Sequence, residues 1–198
     1  VNPDRLTIIT RLGSTDDIPI RVEGDIEFAL IASISKGAPC RIVTQAANPL
    51  LDGWRTQVVD AAGMIGLNDA PAMRVTVIND TTIDLAEVST LGQRAHTAGT
   101  GALKFRAPKD LSGYTAARMD IKRAVGGAVL ASLSTTDGTI EIDAPNGAVW
   151  LHITPTTLVE LAAGDYVFDI ELLDGTAVLA LCSADSVLHL LPEITTST

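Results

Sequence analysis

The sequence predicts an all-β protein, a β-sandwich domain with an inserted small β-barrel-like domain. Three observations predict it. Apolar and polar residues alternate with a period of two along most of the chain. Residue pairs suited to tight turns separate the alternating runs. Only one short stretch has a helical spacing. Many short strands at such intervals are the pattern of sandwiches and small barrels.

Along the first half, 6–10, 18–22 and 26–31 read as strands, followed by 41–44, 54–59, 73–78 and 83–85. Pro19 has no N–H to give a central ladder, which places its strand at an edge or its start. Asn79-Asp80-Thr81-Thr82 turns between the last two runs. Further on, Thr115, Ala117, Met119 and Ile121 alternate with Ala116, Arg118, Asp120 and Lys122. Ile140 and Ile142 alternate with Glu141 and Asp143, and Val149, Leu151 and Ile153 with Ala148, Trp150 and His152. Tyr166, Phe168, Ile170 and Leu172 alternate with Val167, Asp169, Glu171 and Leu173. Each run thus has one face for a core and one for water.

Asp137-Gly138, Asn146-Gly147 and Asp174-Gly175 tolerate positive φ and suit hairpin turns. The last divides two apolar runs with almost no spacer, so 165–182 is the firmest hairpin. Thr154-Pro155 opens 154–161 with a cap residue and a proline at the first helical position. A single helical turn is expected there, bridging two strands at one end of the sandwich.

The chain has 198 residues, 46% of them hydrophobic, which is ample for a core and too many for disorder. Fourteen Lys and Arg against 24 Asp and Glu give a net charge of −10. That lacks the electrostatic footprint of a nucleic-acid binder. No apolar run reaches the roughly 18–20 residues that span a bilayer. Val1-Asn2-Pro3-Asp4-Arg5 has no basic segment leading into an apolar core, unlike a signal peptide. The charge is uneven: residues 124–198 hold ten acidic residues and no Lys or Arg. Such a one-sign surface repels copies of itself unless partners or cations screen it. Cys40 and Cys182 are 142 positions apart and are expected to be free thiols, Cys182 as a small buried hydrophobe.

Chemistry-bearing patterns are sparse. His96, His152 and His189 are far apart, and no Cys or His pair has zinc-ligand spacing. Ser33-Ile34-Ser35-Lys36 matches a nucleophile motif that needs a helix start, but here it ends a strand. Gly99-Thr100-Gly101 lies in a loop and not before a helix, as a phosphate site requires. Asp165, Asp169, Glu171 and Asp174 are close in sequence, yet without the spacing of a calcium loop they read as a solvated face. No metal, cofactor or catalytic residue is therefore assigned, and the chain is not expected to be an enzyme. If Val149, Leu151 and Ile153 face the core, Trp150 faces out and can anchor an interface; the opposite register buries it. The candidate interface residues are Trp150, His152, Asp169 and Glu171.

Two stretches resemble known families. Gly63-Met64-Ile65-Gly66-Leu67-Asn68, followed by the run from Val75 to Leu85, resembles a small β-barrel module of phage tail proteins. That module is similar to the first catalytic-cysteine half-domain of ubiquitin-activating enzymes. The likeness covers about 26–104. The module's usual Pro-His-Gly-Leu turn reads Asn48-Pro49-Leu50-Leu51, and Ile83 replaces the usual aromatic. The phage modules are structural, so the likeness implies no catalytic role for Cys40. Asp110-Leu111-Ser112-Gly113-Tyr114-Thr115-Ala116-Ala117-Arg118-Met119-Asp120-Ile121-Lys122 and the later run from Leu161 to Leu172, within a likeness that covers 110–192, resemble the N-terminal domain of siphophage baseplate upper proteins.

The resemblance implies a discontinuous sandwich of 1–25 with 107–198, interrupted by a barrel-like module at 26–106. An initial strand pair is expected within 5–22. The implied function is structural: a tail-tip or baseplate component that joins other tail proteins, made in the bacterial host cytoplasm and located in the virion. The implied partners are other phage tail proteins and copies of the chain in a homo-oligomer, with no nucleic acid and no membrane insertion. A carbohydrate-binding module for host attachment is the alternative.

Overall fold

The alternating runs become strands, and the computed structural model, which describes residues 5–68, 70–175 and 177–193, contains no α-helix among them. The reading of 1–4 as no part of a signal peptide lies outside the described residues. The strands are β1 (Thr7–Arg11), β2 (Asp16–Arg21), β3 (Glu23–Ile34), β4 (Cys40–Thr44), β5 (Arg55–Val59), β6 (Met73–Arg74), β7 (Thr76–Asn79) and β8 (Thr82–Leu85). They continue with β9 (Ala102–Pro108), β10 (Ala116–Lys122), β11 (Val129–Ser134), β12 (Ile140–Asp143), β13 (Ala148–Ile153), β14 (Gly164–Asp174), β15 (Ala177–Ala180) and β16 (Ser186–Leu191). Two short 3-10 turns, Ile65–Leu67 and Ala144–Asn146, complete the regular structure. The chain divides into two units: described residues up to Val22 and from Asp110 on form one, and Glu23–Lys109 the other.

The first unit is a sandwich. One sheet has the order β1-β16-β14-β10-β11, with β15 also on β14, and the other is β12-β13-β2. At 11 residues β14 is long enough to hold two strands on one edge, β16 beside Gly164–Phe168 and β15 beside Glu171–Asp174. Between the sheets lie Met119, Ile121, Phe168, Ile170 and Leu172 from one side and Ile20, Ile140, Val149, Leu151 and Ile153 from the other. Each such side chain contributes about 1.5–3 kcal/mol when fully buried. A one-residue slip of β14 would drive Asp169 and Glu171 into that core, so its register is fixed. The expected 165–182 hairpin forms, with Asp174 opposite Ala177 and Gly175 at positive φ.

Three local expectations are corrected. β1 and β2 do not pair with each other; β1 joins β16 and β2 joins β13, in different sheets. Ile8 and Ile20 each need a core face, and crossing the sandwich provides one for both. Asp137-Gly138 likewise turns the chain from β11 in one sheet to β12 in the other, so it makes no hairpin. Residues 154–161 form successive turns and no helix. There the Thr157 hydroxyl accepts the Thr154 N–H and donates to the Thr154 carbonyl, closing a local loop in competition with a helical ladder. Leu158 and Leu161 still pack into the core from this bridge.

The second unit is a nearly closed barrel of order β6-β5-β9-β3-β4-β8-β7. The run 73–78, expected as one strand, is split at Val75. Its first part pairs with β5 at one end of the sheet and its second with β8 at the other. The Val75 N–H donates to the Trp54 carbonyl, and the Gly53 N–H donates to the Val75 carbonyl, which draws the two ends together. Ile31, Ile42, Val58, Ile83, Leu103 and Phe105 fill the interior, with Trp54 among them.

The 63–68 motif plugs this barrel. Gly63 has φ +87, and a Cβ there would sit 2.0 Å from the Ala95 carbonyl oxygen, so only glycine fits. Met64 and Leu67 are buried in the core. The Asn68 amide accepts from the Ala61 N–H and donates to the Ala61 carbonyl.

Candidate functional site

Alternation that sends apolar residues inward sends the candidate residues outward. On β13, Val149, Leu151 and Ile153 are buried, so Trp150 and His152 lie on the outer face of the β12-β13-β2 sheet. Trp150 is half-buried there between its cross-strand neighbours Pro19 on the edge strand β2 and Glu141 on β12. His152 Nδ1 is 2.7 Å from Asp17 Oδ1, and Nε2 is 3.4 Å from Glu141 Oε2. The hydrogen bond to Asp17, with Glu141 adding to it, raises the imidazole above its ordinary pKa. Asp17, Glu141 and Asp143 form an acidic surround to the Trp150–Pro19 patch, with Arg21 in the same face.

Asp169 and Glu171 lie on the opposite outer face of the sandwich, since Phe168, Ile170 and Leu172 between them point inward. They do not join Trp150 and His152. Cations on β10 meet them: Arg118 reaches Glu171 at 2.6 Å and Lys122 reaches Asp169 at 3.4 Å. Ser132 donates to Asp120 in the same face. The one-sign reading of 124–198 is corrected here. From β10, just before that stretch, Arg118 lies directly across from Glu171 and Lys122 reaches Asp169 diagonally. At the end of this sheet His189 Nδ1 is 2.7 Å from Asp165 Oδ1. Beside that pair is a cleft of about 440 Å³, where Arg123 stacks 4.1 Å over the Tyr166 ring.

The sandwich edges are unequal. β2 is blunted by Pro19 and two aspartates, and β12 is short and carries Glu141 and Asp143. β11 ends the larger sheet with neither charge nor proline, and residues 124–136 hold no charged residue. Val125, Val129 and Leu130 are exposed there.

A further apolar surface lies on the barrel wall and was not legible as such in the sequence. Ile26, Phe28 and Leu30 project from one face of β3 and are 47%, 61% and 59% exposed. Both faces of 26–31 are apolar apart from Glu27, so alternation alone does not say which is outside. Beside the stripe run Arg55, Arg74, Lys104 and Arg106, brought together by the β6-β5-β9-β3 order.

Cys40 and Cys182 are free and buried, and burial pushes both thiols up in pKa. A buried thiol kept protonated is a poor nucleophile. Among the described residues no three His, Cys, Asp or Glu converge to hold a metal ion, and no helix is long and apolar enough to cross a membrane. No family model matches the chain, and no curated protein matches it in sequence.

Proposed function

We propose that the chain is a structural component of a tailed-phage virion, in the tail tip or baseplate, joining neighbouring tail proteins. The observation that carries this reading is the placement of the two baseplate-like sequence pieces. Separated by about forty residues, they become β10 and β14, adjacent antiparallel strands with Arg118 opposite Glu171 and Ile121 opposite Phe168. Such a signature therefore describes one folded surface, the centre of the larger sheet. The open, uncharged β11 edge beside it is suited to strand addition by a neighbour. The docking role is thus a matter of sheet edges and outer faces.

The test is the composition of purified particles. Mass spectrometry of virions released from cells that encode the chain should find it in fixed stoichiometry with tail proteins. Virions that lack it would overturn the reading.

A further inference from the structure

The wall of the barrel unit combines two properties that oppose each other in an isolated surface. It exposes three large apolar side chains in a row, and it collects like charges. Ile26, Phe28 and Leu30 stand opposite Arg106, Lys104 and Ala102 on β9. Arg55 lies directly across from Arg74, a pairing that costs stability through repulsion. Of the four cations, Arg106 has a carboxylate, Glu23 at 3.8 Å; the other three have no ion pair among the described residues. A groove of about 330 Å³ runs between Ile26 and Arg55, Lys104 and Arg106.

The rest of the charge is elsewhere. Counted over the sequence, 1–22 with 110–198 hold six Lys or Arg against fifteen Asp or Glu, a net of −9, whereas 23–109 hold eight against nine, a net of −1. The sandwich also carries the complementary pattern. On its smaller sheet a half-buried Trp150 and an exposed Pro19 lie among Asp17, Glu141 and Asp143, three carboxylates against Arg21 and the His152 that Asp17 and Glu141 hold.

We infer that the barrel wall of one copy docks on the β12-β13-β2 face of a second copy. The Phe28 stripe covers the Trp150–Pro19 patch, and Arg55, Arg74 and Lys104 face the acidic surround. The contact joins different surfaces, so it is head-to-tail and leaves one of each free at the ends of a dimer. Repeated, it builds a ring or a filament. Net repulsion between copies is screened beyond about 10 Å at 0.1 M salt, while the opposed charges at contact distance are not. This contact rests on the assembly role proposed above, and the two fail separately: a chain found in virions but monomeric when purified keeps the role and loses the contact.

The test is sedimentation of the whole chain with two variants. A wall variant, Phe28→Ala with Lys104→Glu, and a sandwich variant, Glu141→Lys, change side chains outside the two cores, Lys104 being half-buried and the others exposed, and circular dichroism checks that both fold. The wild type should self-associate at about 0.1 M salt and weaken at about 1 M, where the screening length is about 3 Å. Each variant alone should lose association by at least about tenfold, as for a central contact residue. Mixed, they should form a one-to-one dimer, because the sandwich variant keeps an intact wall and the wall variant an intact sandwich face. A monomeric wild type, a variant that assembles undiminished, or folded variants that ignore each other would each overturn the inference.

Discussion

The larger sandwich sheet and the barrel wall both present charge on an outward β-surface, but they handle it differently. On the sheet, Arg118 and Lys122 of β10 meet Glu171 and Asp169 of β14 across one strand spacing. On these two strands Met119, Ile121, Phe168, Ile170 and Leu172 point inward, and Asp120, which faces Asp169, accepts from Ser132. On the wall, Arg55 opposes Arg74, Lys104 has no ion pair among the described residues, and a row of apolar side chains faces water. Two strand-rich surfaces of one chain therefore differ in what they lack. The centre of the first is ion-paired within itself, while the second gains from an acidic, partly apolar partner.

The largest effect that can break this contrast comes from two phenylalanines. Phe105 is in the barrel core and Phe28 is on the wall. Phe105→Ala should cost about 3–5 kcal/mol in chemical denaturation. Phe28→Ala should stay within about 0.5 kcal/mol, as for an exposed site. Equal costs would mean that Phe28 is not outside. Next in size is Gly63→Ala, which places a methyl against the Ala95 carbonyl at positive φ. It should destabilise by more than about 1 kcal/mol, whereas Gly138→Ala, with open space around its Cβ position, should cost less.

Smaller effects sharpen the account of the paired sheet. Glu171→Gln should cost no more than about 1 kcal/mol, because Arg118 is half-exposed and its pair is screened by solvent. A larger loss in a denaturation series would make that pair a buried anchor. On the opposite face, His152 titration by NMR should lie above its ordinary value, chiefly because of Asp17, and Asp17→Asn should lower it. The folded pKa is raised, so this stabilisation is full below the unfolded value and is lost as pH rises through the folded one. Asp84 behaves oppositely. The Arg41 guanidinium, in a bidentate pair at 2.7 and 2.8 Å, holds its carboxyl low. That stability is present above the unfolded carboxylate pKa and is lost as pH falls through the folded one. Arg41→Gln should therefore flatten the acid limb of a stability–pH curve.

Much of the sandwich was legible because its alternation is strict. Tyr166, Phe168, Ile170 and Leu172 point inward, and the Asp174-Gly175 hairpin forms as read. Partner choice was not legible where a turn joins strands of different sheets. Asp137-Gly138 has the sequence of a hairpin turn, yet it connects the two sheets, as does the turn at Gly13 between β1 and β2. The split at Val75 escaped for a related reason: a strand shared by both ends of a nearly closed sheet has the same local pattern as any other. Trp150 and His152 could be placed on one face from spacing alone, and they are. The pairing of Asp169 and Glu171 with cations came from β10, some fifty residues earlier, and spacing within β14 could not reveal it. The wall stripe was hidden because 26–31 is apolar on both faces.

The measurement that most directly tests the central claim, that the barrel wall is a docking surface, is the solution mass of the whole chain by light scattering at about 0.1 M and about 1 M salt. A multiple of 20.7 kDa is expected at the lower salt, falling toward the single-chain mass at the higher, and falling at the lower salt on Phe28→Ala. A mass of one chain at both salts, or an oligomer indifferent to Phe28, would contradict it.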